Sequence, residues 1–172
     1  MRKYDAVFFD LDGTLSESGE GILWCVRRTI EDLKIVVPEN FRLESFIGPP
    51  LADSFYRLGL DDEKVKLGVK TYKSYYDTKG KYMNKAYDGI KELLERLREK
   101  GYKLGVATSK YELFARQIID NIGLLQYFDF VSGATANAER QKKIDVLNYG
   151  IKNLGATPEN SALIGDTKFD AE

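Results

Sequence analysis

The sequence predicts an α/β fold, a doubly wound parallel sheet with an α-helical subdomain inserted after the first strand. Three observations carry this reading. The apolar run 6–9, without polar alternation, reads as a strand buried on both faces, and three similar runs follow at 102–107, 128–131 and 161–164. Stretches with apolar residues at helical spacing separate them, the strand–helix alternation of a parallel sheet. Residues 19–82 carry helical patterns and no strand pattern.

Taken in order, Ala6-Val7-Phe8-Phe9 is the first strand and stops abruptly at Asp10. Ile22, Val26, Ile30 and Leu33 then recur as one face of a helix. Pro49-Pro50 starts a second helix, with Pro50 near its first position, carrying Leu51, Phe55 and Leu58. Asp61 and Asp62 cap a third, in which Val65, Val69, Tyr72 and Tyr76 recur. Its tyrosines, Tyr72, Tyr75 and Tyr76, invite a substrate-facing reading, but a helical aromatic stripe ordinarily packs.

The alternation then begins. Ile90, Leu93, Leu94 and Leu97 form a stripe opened by Asp88 and closed by Gly101, ahead of the run 102–107. Phe114, Ile118 and Ile122, closed by Gly123, precede 128–131. Ile144, Leu147, Ile151 and Leu154, closed by Gly155, precede 161–164. The expected organisation is a core of residues 1–17 and 83–172 interrupted by a helical unit of residues 18–82.

Composition excludes several chemistries. No histidine is present, which removes Ser-His-Asp and Cys-His catalysis and imidazole zinc sites. A formal net charge of -1 in 172 residues points away from nucleic acid. Cys25 is the single cysteine, so no internal disulfide forms and a cytoplasmic setting is expected, with the thiol packed in a helix. No run approaches the ~20 apolar residues of a membrane span. The first residues lack a signal peptide's apolar core.

Four motifs remain to carry chemistry. In Asp10-Leu11-Asp12-Gly13-Thr14-Leu15, two acids meet where a buried strand ends, the edge at which open α/β sheets bind ligands. At about 4 Å and an effective dielectric near 20 their repulsion is roughly 4 kcal/mol, which a hard cation such as Mg²⁺ relieves. Isolated, such acids would only cap a turn. Ala107-Thr108-Ser109 offers hydroxyls and N–H groups to an anion, though a helix cap is the plainer reading of either hydroxyl. Lys142 and Lys143 open a helix, where cations oppose the dipole, so function or simple solvation can place them. Gly165-Asp166-Thr167-Lys168-Phe169-Asp170 adds a second acidic cluster at a strand end. A phosphate dianion reaches so many carboxylates only with a metal and a lysine to offset them.

The ordered set Asp10-x-Asp12, Thr108, Lys143, Gly165-Asp166-x-x-x-Asp170 resembles the haloacid dehalogenase superfamily of aspartyl-nucleophile phosphatases over the whole chain. Phe46-Ile47-Gly48-Pro49-Pro50-Leu51, Tyr87-Asp88-Gly89-Ile90 and Ala107-Thr108-Ser109-Lys110 look like its phosphoglycolate phosphatase and 5′-nucleotidase-like branch. The resemblance implies a Mg²⁺-dependent phosphomonoester hydrolase working through an aspartyl-phosphate, with residues 18–82 as its helical cap. It implies Asp10 as nucleophile, Asp12 as general acid and base, and Thr108 with Ser109 as phosphate-binding groups. It implies Lys143 as the charge-neutralising lysine, chosen over Lys142 because Arg140-x-x-Lys143-x-Asp145-Val146 matches the branch's spacing. Asp10, Asp12 (through its carbonyl), Asp166 and Asp170 are the implied Mg²⁺ ligands.

Asp12 separates this pattern from the dehalogenases, which need no acid there, and no Lys-Thr-Gly follows Asp10 as in P-type ATPases. The expected substrate is a small phosphorylated metabolite or nucleoside monophosphate, and the expected assembly a monomer or homodimer, with no nucleic acid and no membrane partner. The alternatives are a sugar phosphomutase of the β-phosphoglucomutase type and an inactive binding module. Two departures from the family stand out. Residues 133–138 replace its usual glycine–serine loop, and the chain stops at Glu172, where relatives continue, so a C-terminally truncated core is expected.

Overall fold

The structure is a computed structural model that describes residues 3–135, 139–167 and 170. Along the chain run β1 (Ala6–Phe9), β2 (Ser16–Glu17), α1 (Gly19–Asp32), α2 (Leu51–Tyr56), α3 (Asp62–Thr78), β3 (Lys85–Ala86) and α4 (Ile90–Glu99). These are followed by β4 (Lys103–Tyr111), α5 (Glu112–Asn121), β5 (Phe130–Ala134), α6 (Lys143–Asn153) and β6 (Ser161–Ile164). The chain forms two compact units, residues 1–17 with 85–172 and residues 18–84.

The larger unit is an α/β layer structure built on a four-stranded sheet of order β5-β4-β1-β6, every pairing parallel, flanked by α4, α5 and α6. All four residues of β1 are buried, which its unbroken apolar run requires of a central strand. The short pair β2–β3 is antiparallel and joins Ser16 to Ala86 and Glu17 to Lys85, whose side chains form an ion pair of 2.9 Å.

Phe8 keys this core. Its ring is fully buried in a cluster with Ala6, Ala107, Val146, Ile151 and Leu154. It fits because two glycines face it: a Cβ at Gly105 of β4 would lie 2.4 Å from the ring, and one at Gly150 of α6 would lie 2.7 Å away. The buried face of α6 is therefore Val146, Gly150 and Ile151, whereas Ile144 is half exposed. Of the expected stripe, Leu147, Ile151 and Leu154 do pack on this core and Ile144 does not, while Gly150 joins the face through a close approach that a hydrophobic count does not register.

Three boundaries also differ from expectation. β4 runs on to Tyr111 instead of stopping near Ala107, because Tyr111 pairs with Ala134 beyond an irregularity in the ladder. β5 starts at Phe130, not at 128, since the Asp129 carboxylate accepts from the backbone N–H of Leu104 (2.8 Å) and from Arg98 (2.9 Å). Asp88 does not cap α4: Gly89, with φ of 81°, occupies the N-cap. The expected terminators do sit beyond their helices with positive φ, namely Gly101, Gly123 and Gly155.

The smaller unit packs α1 and α2 against α3. Asp61 caps α3 by accepting from the Lys64 N–H. Phe55 is fully buried against Gly68 and meets Phe46 edge-on at 5.1 Å. Tyr72 and Tyr76 are buried and stacked at 5.7 Å, so this part of the aromatic stripe packs. Tyr75 donates to Asp32 and stands edge-on to Trp24. Cys25 is buried, and burial pushes its thiol up to about 11. Among the described residues no helix is long and apolar enough to cross a membrane.

The Phe8 packing gives a test. Gly150→Ala should destabilise the protein although alanine is the better helix former. Overpacking against a ring with no room to move costs roughly 1–3 kcal/mol, so the urea midpoint should fall; an unchanged or higher midpoint would contradict the packing.

Candidate active site

The site grows from the C-terminal ends of β1, β4 and β6. Asp10 directly follows β1 and continues its ladder by one bond, its N–H donating to the carbonyl of Ile164 at 2.8 Å. The chain then turns tightly, with the N–H groups of Leu15 and Ser16 donating to the carbonyl of Leu11 at 3.0 and 2.9 Å. Leu11 and Leu15 are fully buried and anchor the turn. Asp10 thus stands at the end of the strand ladder and Asp12 in the turn beyond it, and they find different partners.

The Lys143 ammonium, from the first residue of α6, lies 2.7 Å from Asp10 Oδ1 and 2.7 Å from Asp170 Oδ1. The Lys110 ammonium, near the end of β4, lies 3.1 Å from Asp12 Oδ2. Lys142 is exposed at the N-cap of α6. The carboxylates of Asp10, Asp166 and Asp170 each offer an oxygen within 4.8 Å of the others. The Asp12 carboxylate is not one of that trio; its contribution there would be limited to its backbone carbonyl.

Glycines make the crowding possible. Gly13 has φ of +83°, and a Cβ on it would lie 2.2 Å from Asp166 Oδ2. A Cβ on Gly165 would lie 2.2 Å from the Asp170 carboxyl carbon. Two threonines brace the acids: Thr14 Oγ1 donates to Asp166 Oδ1 (3.2 Å), and Thr167 donates to Asp170 Oδ2 from its hydroxyl (2.7 Å) and its N–H (3.0 Å). Lys168, Phe169 and residues 136–138, which belong to two of the sequence motifs, lie outside the described residues.

The electrostatics follow from burial and these contacts. Burial raises Asp10 above the ordinary aspartate value, and the charge of Lys143 only partly opposes it. Asp170 is also penalised by burial, but contact with Lys143 and the hydrogen bonds from Thr167 outweigh that and hold it low. Among the described residues, four carboxylates (Asp10, Asp12, Asp166, Asp170) face two ammonium groups (Lys110, Lys143), an excess of two negative charges. Asp10 Oδ1 and Asp170 Oδ1 share the Lys143 ammonium, whereas Asp12 Oδ1 is buried without a hydrogen-bond partner. A trio of carboxylates offering hard oxygens within reach of one another, with acids in excess of lysines, fits a divalent cation of the Mg²⁺ kind.

Thr108 is buried in β4, two residues past Val106, the register partner of Phe9, and so lies level with the turn after β1. Its Oγ1 accepts from the Lys110 N–H at 3.3 Å. Neither Thr108 nor Ser109 caps a helix, because α5 begins only at Glu112 with Tyr111 at its N-cap. Ser109 is exposed. Sequence reasoning gave no role to Lys110, Thr14 or Thr167. A lysine two residues after Thr108 and hydroxyls beside the acids were the available signals.

Comparison with known proteins matches the chain to a family. The model for haloacid dehalogenase-like hydrolases matches residues 7–172. The 5′-nucleotidase of Pseudomonas aeruginosa is 36% identical over 169 residues, 98% of this chain and 76% of that protein. The tyrosine-protein kinase PtkA of Mycobacterium tuberculosis is 36% identical over 166 residues, 96% of this chain, and the chain spans only 57% of its length. The crystal structure of a predicted phosphatase from Clostridium acetobutylicum superposes with a TM-score of 0.83 at 37% identity, covering 98% of this chain and 78% of that one.

The acid cluster can be probed through its supports. Gly13→Ala should displace Asp166, and Thr14→Ala should release it. Each is expected to weaken Mg²⁺ binding, read by calorimetry, about 10- to 100-fold. Wild-type affinity in both variants would show that Asp166 is not a ligand.

Proposed function

The chain belongs to the haloacid dehalogenase-like hydrolases, and from that premise we propose that it is a Mg²⁺-dependent phosphomonoester hydrolase with Asp10 as its nucleophile. The observation that carries the reading is the placement of Lys143 between Asp10 and Asp170, beside an acidic trio whose charge it cannot balance alone.

In this mechanism an Asp10 carboxylate oxygen attacks phosphorus as the ester oxygen leaves, giving an aspartyl-phosphate. Asp12 gives its proton to the departing alkoxide, then takes one from the water that cleaves the acyl phosphate and releases inorganic phosphate. Lys143 offsets charge on the phosphoryl oxygens, and Thr108 with Ser109 and neighbouring N–H groups orients them. Asp10, Asp166, Asp170 and the Asp12 carbonyl would hold Mg²⁺, whose chemistry is neutralisation of the approaching dianion. Lys110 keeps the Asp12 carboxylate turned toward the site.

The helical unit, residues 18–84, is read as the family's cap. The substrate is read as a small phosphomonoester of the phosphoglycolate or nucleoside monophosphate class. The likeness to the Pseudomonas 5′-nucleotidase supports it. A cytoplasmic setting belongs to the same reading.

A second reading rests on the 36% identity to PtkA: phosphoryl transfer from a nucleotide to tyrosine. The two part on the acceptor. With radiolabelled ATP, the hydrolase reading predicts no label on tyrosine, and stable phosphotyrosine would favour the kinase reading.

The hydrolase reading predicts turnover of p-nitrophenyl phosphate that needs Mg²⁺ and stops with EDTA. Asp10→Asn should lose at least about a thousandfold in kcat. Asp12→Asn should lose roughly 100- to 10,000-fold while still binding inorganic phosphate. Appreciable turnover by Asp10→Asn would end the nucleophile assignment.

A further inference from the structure

Lys143 must hold its ammonium between two carboxylates, yet its own helix start does little to fix it. Lys142 at the N-cap makes no side-chain cap hydrogen bond, and two lysines here oppose the helix dipole. The segment before the helix is held by another side chain. Arg140 Nε donates to the Gly133 carbonyl at 2.8 Å, and its Nη2 pairs with Glu112 Oε2 at 2.6 Å. Its guanidinium lies over the Tyr149 ring, 3.7 Å from the centroid. Glu112 Oε2 also accepts from the Gly133 N–H at 3.2 Å. The main chain closes the same loop: the Arg140 N–H donates to Thr135 Oγ1 (3.1 Å), and the Thr135 N–H donates to the Arg140 carbonyl (2.9 Å).

One guanidinium therefore ties together the end of β5, the first residue of α5 and the body of α6, three residues ahead of Lys143. Tyr149 is on α6 itself, so the stacking fixes the loop to the helix that carries the lysine. Glu112 sits two residues after Lys110, so the same tie also closes the junction behind the Asp12 partner. The fork of donors and the flat stacking surface are properties of arginine that lysine lacks.

We propose that the Arg140–Glu112 pair is a positioning clamp that aims the Lys143 ammonium into the gap between Asp10 and Asp170. Its effect on turnover rests on the phosphatase reading, whereas its effect on the position of the ammonium does not.

Two measurements test it. The first is lysine acetylation by acetic anhydride, quantified by peptide mass spectrometry with exposed Lys152 as internal reference. The side chain of Lys143 is 9% exposed and doubly ion-paired, so it should react slowly in the wild type. In Arg140→Ala and in Glu112→Gln its rate relative to Lys152 should rise roughly tenfold or more, as loss of a charged tie implies. Glu112→Gln keeps the side chain's size and serves if the alanine variant does not fold. An unchanged ratio in a folded variant overturns the clamp, whether or not the enzyme turns over.

The second is a double-mutant cycle on p-nitrophenyl phosphate hydrolysis. Arg140→Ala should lower kcat about tenfold with little change in KM, and should add nothing in a Lys143→Gln background. Equal losses in both backgrounds would mean that Arg140 acts without Lys143 and would also overturn the clamp.

Discussion

The Lys143 ammonium between Asp10 and Asp170 is the contact on which the larger unit is organised. Carboxylates about 4 Å apart repel by roughly 4 kcal/mol at an effective dielectric near 20, so bringing the ends of β1 and β6 together is costly. One buried lysine offsets part of that cost, and a second, Lys110, pairs with Asp12. Among the described residues the site's acids outnumber its lysines by two. In the proposed function this excess is what a divalent cation would offset before a phosphate dianion approaches.

The fold carries this strained edge on a rigid base. β1 lies inside the sheet with all its residues buried, and Phe8 is locked between β4 and α6 where Gly105 and Gly150 admit its ring. Because α6 is pinned to the sheet through Phe8, its first residue arrives at the acidic edge at a set height. Buried Ser132 adds a tie from β5, donating to the Val146 carbonyl at 2.7 Å. Packing below the edge and hydrogen bonding at the edge therefore serve the same geometry.

Much of this was legible in the sequence, for identifiable reasons. The apolar runs marked β1 and β6 to the residue; β1 is buried throughout as expected, whereas β6 is only partly buried and Ile164 is exposed. Glycines after the helices marked their ends because the left-handed C′ position excludes most side chains. The start of β5 was misjudged because Phe128 is apolar, although Asp129 turns its carboxylate back onto Leu104. The reach of β4 was underestimated because the hydroxyls of Thr108 and Ser109 read as a helix start. At the site, acids near each other in sequence were visible, but their division between two lysines was not. Asp12 with Lys110 and Arg140 with Glu112 are pairs between distant segments, and no local pattern announces them.

The central claim is that Asp10 itself takes the phosphoryl group. It is tested most directly by quenching the enzyme during turnover of p-nitrophenyl phosphate, reducing it with borohydride, and sequencing the peptides by mass spectrometry. An acyl phosphate on Asp10 would be reduced to homoserine, so homoserine at position 10 is the predicted result. Aspartate retained at position 10 while a phosphoryl group appears on another side chain would contradict the account.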